Sequence, residues 1–251
     1  MSSSSSGKLK PTTIAVLVLT ILSFYSSATR FTFVNSCDFT VWVGTQPNGG
    51  IPILSDGGGF KLGSGESSTE IAPKGWGGRF WGRTDCVFSS SGLGSCVTGD
   101  CGGKMQCEGA GGVPPASLFE ITLDGANGMD FYDVSLVDGY NLPMRVVAIG
   151  GTGNCGSPGC TSDLNAACPK EQQVVSAGEV VACKSACAAY NEPQYCCTGE
   201  FGSPITCKPT LYSTTFKRAC PTAYSYAYDD ATSTFTCTGA NYILTFCPKG
   251  T

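Results

Sequence analysis

The chain has 251 residues, among them 16 cysteines, 34 glycines and no histidine, with 15 basic and 19 acidic side chains. Without histidine it has no Ser-His-Asp or Cys-His triad, no imidazole metal ligand and no ordinary proton shuttle for neutral pH. A charged fraction of 14% with this much glycine excludes an acidic disordered tail and a coiled coil, and an acidic balance without a basic stripe excludes nucleic acid as a partner.

The first 28 residues read as a secretory signal peptide. Lys8 and Lys10 precede the apolar run 14–22, and Ser26 and Ala28 form a small-x-small cleavage site. The run is shorter than the roughly 20 apolar residues that a membrane span needs, so a soluble, exported monomer without a membrane anchor is expected. Loss of Lys8 and Lys10 takes the formal net charge from −4 to −6. All 16 cysteines lie between Cys37 and Cys247, and an even number in an exported chain reads as eight disulfides. They divide into a compact group at 86–107, a dense group at 155–220, and the distant Cys37, Cys237 and Cys247. Adjacent Cys196 and Cys197 point apart and need different partners.

In chain order, Arg30–Asn35 and Phe39–Val43 alternate with period two, the pattern of half-buried strands, and 35–38 reads as the turn of a hairpin between them. Further strands are expected at 68–72, 79–83, 118–123, 131–137, 145–149, 234–237 and 242–246, between Gly, Pro, Asn and Asp breaks. Short antiparallel strands at this spacing imply a β-sandwich or flattened barrel. Ser176-Ala177-Gly178-Glu179 matches a capping box and predicts a helix of about a dozen residues reaching Tyr190, anchored through Val180, Cys183 and Cys187. The glycine runs 57–59 and 109–112 lack the lysine and the strand-to-helix setting of a phosphate loop and read as turns.

The segment 92–103, Gly-Leu-Gly-Ser-Cys-Val-Thr-Gly-Asp-Cys-Gly-Gly, closed by Cys107, resembles the signature of the thaumatin-like, pathogenesis-related family. Gly-Arg-Phe-Trp-Gly-Arg-Thr at 78–84, Asp-Phe-Tyr-Asp-Val-Ser-Leu-Val-Asp-Gly at 130–139 and Asn-Tyr-Ile-Leu-Thr-Phe-Cys-Pro at 241–248 extend the likeness over residues 29–251. The resemblance implies a mainly β fold: an antiparallel sandwich at about 29–84, 118–160 and 221–251, a small looped lobe at about 85–117, and a helix-containing disulfide-rich lobe at about 161–220. It also implies the pairs Cys37–Cys247, Cys86–Cys96, Cys101–Cys107, Cys155–Cys237, Cys160–Cys220, Cys168–Cys183, Cys187–Cys196 and Cys197–Cys207.

With no histidine, chemistry falls to carboxylates, and glycoside hydrolysis needs two of them. Asp133 shares a strand face with Phe131, Asp138 follows the end of that strand, and Glu120 interrupts the apolar run Leu118-Phe119-Glu120-Ile121. The family resemblance implies an acidic cleft of one Arg, one Glu and three Asp, which by motif are Arg79, Glu120, Asp133, Asp138 and Asp229; Asp230 directly follows Asp229. Glu120 is expected as general acid, Asp133 as nucleophile or base, and Arg79 as an orienting cation. Phe119 is expected to point into the core. The implied substrate class is β-1,3-glucan of fungal walls, with Phe131, Tyr132, Tyr140, Tyr226 and Tyr228 available to stack on sugars. No metal or cofactor is expected. The role implied is that of a secreted, apoplastic antifungal protein with weak glucanase activity; the alternative is a protein-interaction role, as inhibitor of a pathogen hydrolase or a receptor- or membrane-directed protein.

Overall fold

Ten of the fourteen strands in the computed structural model, which describes residues 28–249, belong to one mostly antiparallel sheet, and the other four form two separate two-stranded hairpins, within 87–95 and 173–183. In chain order they are β1 (Thr29–Asn35), β2 (Val41–Pro47), β3 (Gly59–Leu62), β4 (Ser67–Ala72), β5 (Gly77–Arg83), β6 (Val87–Phe88), β7 (Gly94–Ser95), β8 (Leu118–Thr122), β9 (Asp130–Ser135), β10 (Met144–Thr152), β11 (Gly159–Cys160), β12 (Gln173–Ser176), β13 (Glu179–Cys183) and β14 (Phe235–Phe246). The expected signal peptide, 1–28, lies outside the described residues apart from Ala28. Among the described residues no helix is long and apolar enough to cross a membrane.

The path β11-β10-β14-β9-β8-β5-β2-β3 folds on itself at β14, with β1 and β4 attached beside it. At its start β14 pairs with β9, through Phe235↔Tyr132 and Cys237↔Asp130. Farther along it pairs antiparallel with β10, and from Tyr242 to Phe246 parallel with β1. One long strand therefore serves two layers and nearly closes a barrel. The core between the layers is aromatic: Phe31 of β1 meets Phe80 of β5 at 5.1 Å between ring centres, and Phe80 stacks on Phe119 of β8 at 5.7 Å. Burying such rings is the main stabilising contribution of the sandwich.

The predicted hairpin at the start of the fold is not present. β1 pairs with β14 and β4, whereas β2 pairs with β3 and β5. Both strands carry one apolar face, and placing them in opposite layers buries those faces against each other. The crossing is held by Asn35, whose amide donates to the carbonyls of Phe39 and Leu62 at 2.8 and 2.9 Å.

The predicted helix from 176 is a second correction. The segment forms the hairpin β12–β13, with Ala177 and Gly178 both at positive φ (50° and 89°) as the primed two-residue turn that suits twisted strands. Helix in this lobe starts only at Ala186–Tyr190, which Ser185 caps by accepting from the Ala188 amide, and continues as the short turn Pro193–Cys196 and as Leu211–Ala219, opened by a Thr210/Ser213 capping box. The strands expected at 234–237 and 242–246 are one strand, and β3 went unforeseen because it is four residues long and follows a glycine run.

Eight disulfides are present: Cys37–Cys247, Cys86–Cys96, Cys101–Cys107, Cys155–Cys237, Cys160–Cys220, Cys168–Cys183, Cys187–Cys196 and Cys197–Cys207. Among the described residues no cysteine is free, as fits folding in an oxidising compartment.

Candidate functional site: a carboxylate cleft on the outer face of the sheet

Alternation along β5, β8 and β9 decides what reaches the outer face. Phe80, Phe119 and Val134 form one cross-strand row and are fully buried in the core, so Phe119 points inward as expected. The outward row Trp81, Leu118 and Ser135 is partly roofed by the segment between β5 and β8, where Trp81 and Leu118 pack with Ala116 and the Cys101–Cys107 bridge. The next outward row is Arg79, Glu120 and Asp133, in direct register on three adjacent strands, and no such roof covers it. Directly paired positions stand about 4.5–5.5 Å apart at Cβ, so three ionisable groups meet side by side.

This row forms the floor of a cleft of about 400 Å³, lined also by Ser135, Val137, Asp138, Tyr224, Ala227 and Asp230. A second depression of about 180 Å³ adjoins it, sharing Glu120 and Asp133 and bounded by Asn48, Phe131 and Thr234. The two carboxyls thus lie at the junction of an elongated groove rather than at the end of a closed pocket.

Arg79 is the cation of the cleft. Its Nε lies 3.5 Å from Glu120 Oε1 and its Nη1 3.9 Å from Asp138 Oδ2. Burial raises the Glu120 carboxyl above its ordinary range; Arg79 offsets part of this and Asp138 adds to it. Asp133 is pushed up further, to about 8, chiefly by burial, then by the neighbouring charge of Glu120, with Arg79 opposing and Asp230 reinforcing. Its Oδ1 is shut off from solvent and has no hydrogen-bond partner among the described residues. A carboxyl in that position holds its proton at neutral pH, whereas at Glu120 the guanidinium offsets part of the effect of burial, so that of the two Glu120 is the readier to ionise.

Asp229, expected in the cleft, is turned away from it. Its Oδ2 lies 2.9 Å from Lys217 Nζ and accepts from the Ser225 amide and hydroxyl. Its neighbour Asp230 lines the cleft and accepts from the Tyr224 hydroxyl at 2.8 Å. Successive residues at the start of the short helix Asp230–Ser233 point in different directions, so only one of the two acids can face the groove. Of the aromatic candidates, Tyr132 and Tyr140 are core residues, Phe131 lines the smaller depression, and Tyr226 lines a separate recess beside the helix 211–219. Sequence reasoning missed Tyr224, whose backbone is bridged to Ser135 of β9. Its only signal was a place in the Tyr-rich run 224–228, just before the paired acids.

A family model described as the Thaumatin family matches residues 35–248. The chain belongs to the thaumatin family. It is 58% identical over 241 residues to the pathogenesis-related thaumatin-like protein 3.5 of Cryptomeria japonica, covering 96% of this chain and 98% of the relative. With pathogenesis-related protein 5 of Arabidopsis thaliana it shares 60% identity over 221 residues, 88% of this chain and 91% of that one. Among solved structures, a laminaripentaose-producing β-1,3-glucanase in complex with laminaritetraose superposes with a TM-score of 0.61 at 12% identity, over 88% of this chain and 99% of that one. That likeness is one of fold.

Proposed function

We propose that this thaumatin-family member is a secreted defence protein that binds β-1,3-glucan of fungal walls in the carboxylate cleft. The observation that carries the reading is the in-register row Arg79–Glu120–Asp133 at the middle of an open, elongated groove. An extended groove suits a chain that continues past the site on both sides. Phe131 offers a half-buried ring for the apolar face of a sugar, and Arg79, Asp138, Tyr224 and Asp230 offer hydrogen bonds to hydroxyls. The laminaritetraose complex of the fold neighbour supports the choice of ligand class.

Slow endo-hydrolysis of the bound chain is the chemical extension of this reading. Asp133, holding a proton, donates it to the glycosidic oxygen as the bond to the anomeric carbon breaks. Glu120, kept anionic by Arg79, attacks that carbon, and water then releases the sugar while Asp133 recovers a proton. These roles reverse those expected from sequence, because Arg79 makes its ion pair with Glu120, and among the described residues none is made with Asp133.

The test uses the purified, oxidised protein with insoluble and oligomeric β-1,3-glucan, alongside Glu120→Gln and Asp133→Asn. Binding by the native protein that weakens in both variants is the expected result, and released oligosaccharides absent from both variants would establish hydrolysis. Binding without release makes the cleft a recognition site. Failure of the native protein to bind overturns the proposal.

A further inference from the structure

We propose that Lys217 is a positioning residue that sets the geometry of the cleft from outside it, by latching the chain segment 223–233 to the helix 211–219. The proposal rests on reading the cleft as the glucan site. Lys217 lies in the last turn of that helix, whose same C-terminal end Cys220 ties to β11 through Cys160. Its ammonium donates in three directions: to Asp229 Oδ2 at 2.9 Å, to the Ala223 carbonyl at 3.0 Å and to the Ser233 hydroxyl at 2.8 Å. These use all three of its donors. Asp229 is equally engaged, taking the Ser225 amide and hydroxyl on Oδ2 and the Thr232 hydroxyl on Oδ1 at 3.2 Å. The Lys217 and Asp229 side chains retain only 24% and 12% of their exposure, and Ser233 is fully buried.

The latched segment is the wall of the cleft. It contributes Tyr224, Ala227 and Asp230 to the lining. Tyr224 is pinned at its backbone to β9, its amide donating to Val134 and its carbonyl accepting from Leu136, while its hydroxyl reaches Asp230 and pairs with the Thr234 hydroxyl. One edge of the segment is therefore fixed by the strand that carries Asp133, and the other is tied to the helix 211–219 through Lys217 and Asp229 before the chain enters β14. The latch holds Asp230 and the Tyr224 ring over Asp133 and keeps water from its Oδ1.

Lys217→Met and Asp229→Asn test this, the second retaining hydrogen-bonding capacity at 229 while removing the charge; Lys104→Met, an exposed lysine of the small lobe, is the control. Two readouts are followed in oxidised protein of unchanged circular dichroism: the Asp133 titration midpoint by carboxyl NMR, and the dissociation constant for a β-1,3-glucan oligosaccharide. The Asp133 midpoint is expected to fall from about 8 toward the ordinary carboxyl range in both latch variants, because its cover loosens. Glucan affinity should drop by up to about tenfold, the size of losing one hydrogen bond from a displaced wall. The control should change neither. An unchanged Asp133 midpoint in both latch variants overturns the latch, and since that readout needs no ligand, it stands apart from a failure of glucan binding in the native protein.

Discussion

Glu120 and Asp133 face each other across the β8–β9 ladder on the open side of the sheet, and Arg79, opposite Glu120 on β5, forms an ion pair with only the first of them. Two neighbouring carboxyls in one partly buried row cannot both ionise cheaply, and the guanidinium decides which one does.

This arrangement makes stability depend on pH in a particular direction. Asp133 titrates near 8 when folded and near 4 when unfolded. Between those values the folded protein keeps a proton that the unfolded chain has lost, so unfolding releases a proton and stability falls as pH rises. The contribution is absent below about pH 4 and complete above about pH 8. The unfolding free energy of Asp133→Asn should lack this decline, gaining roughly 2–4 kcal/mol on the native protein between pH 4 and pH 9. Denaturant titrations across that range check it, and parallel curves for the two proteins would refute it.

Arg83 shows how the small lobe is fixed above the sheet. Its side chain is fully buried, and its guanidinium donates to the carbonyls of Trp42 and Val43 on β2 and of Lys104 and Met105 in the lobe. Burial pulls its pKa down to about 10, with the Asp100 charge opposing. Arg83→Met should cost about 3 kcal/mol or more, since each carbonyl left buried and unpaired carries its own penalty. Arg83→Lys should rescue little, because a single ammonium cannot span four acceptors arranged for a fork. Calorimetry on the oxidised proteins, with limited proteolysis of residues 86–107 as a local readout, distinguishes loss of this clamp from a neutral change.

Trp81 explains a glycine that reads in sequence only as part of a turn. A Cβ at Gly112 would stand 2.5 Å from Trp81 Nε1, and one at Gly44 would stand 2.4 Å from Cε2 on the same indole. The ring is thus enclosed by two glycines while its Nε1 donates to the Gly99 carbonyl at 2.8 Å. Gly112→Ala should destabilise by roughly 1–3 kcal/mol through overpacking and shift the tryptophan emission. Gly75→Ala is a weaker comparison, because nothing lies within 4 Å of its Cβ position and only its positive φ resists the change.

What could be seen in the sequence was local or carried by family motifs. Alternation in Leu118-Phe119-Glu120 was enough to send Phe119 inward and Glu120 outward, because neighbours on a strand face opposite ways. That Arg79, Glu120 and Asp133 share one row depends on the register of three strands and was not legible in the sequence; the resemblance implied only that they line one cleft. Local signals also misled. Ser176-Ala177-Gly178-Glu179 fits a helix start and a hairpin turn alike; the β-branched residues on both sides and the backbone bridge between Cys183 and Tyr140 favour the hairpin. Asp229 and Asp230 are equivalent as sequence, and they separate only because Lys217 arrives from another element to claim the first.

The division of roles between the two carboxyls has a kinetic consequence. If Asp133 donates the proton to the leaving sugar, its loss matters most where the leaving group needs protonation. Asp133→Asn should therefore abolish release from β-1,3-glucan yet still release the phenol of an aryl β-glucoside oligomer in the first step, the covalent intermediate then hydrolysing slowly for want of a base. Glu120→Gln, lacking the nucleophile, should be inactive on both substrates; added azide should restore turnover in Glu120→Gly with inversion at the anomeric carbon, and in Asp133→Asn with retention, because azide attacks without needing a base. In the native protein the rate should decline above about pH 8 as Asp133 loses its proton, and the alkaline limb should vanish for the aryl substrate. Aryl turnover that survives Glu120→Gln but not Asp133→Asn would reverse the assignment, returning the acid to Glu120 and the nucleophile to Asp133.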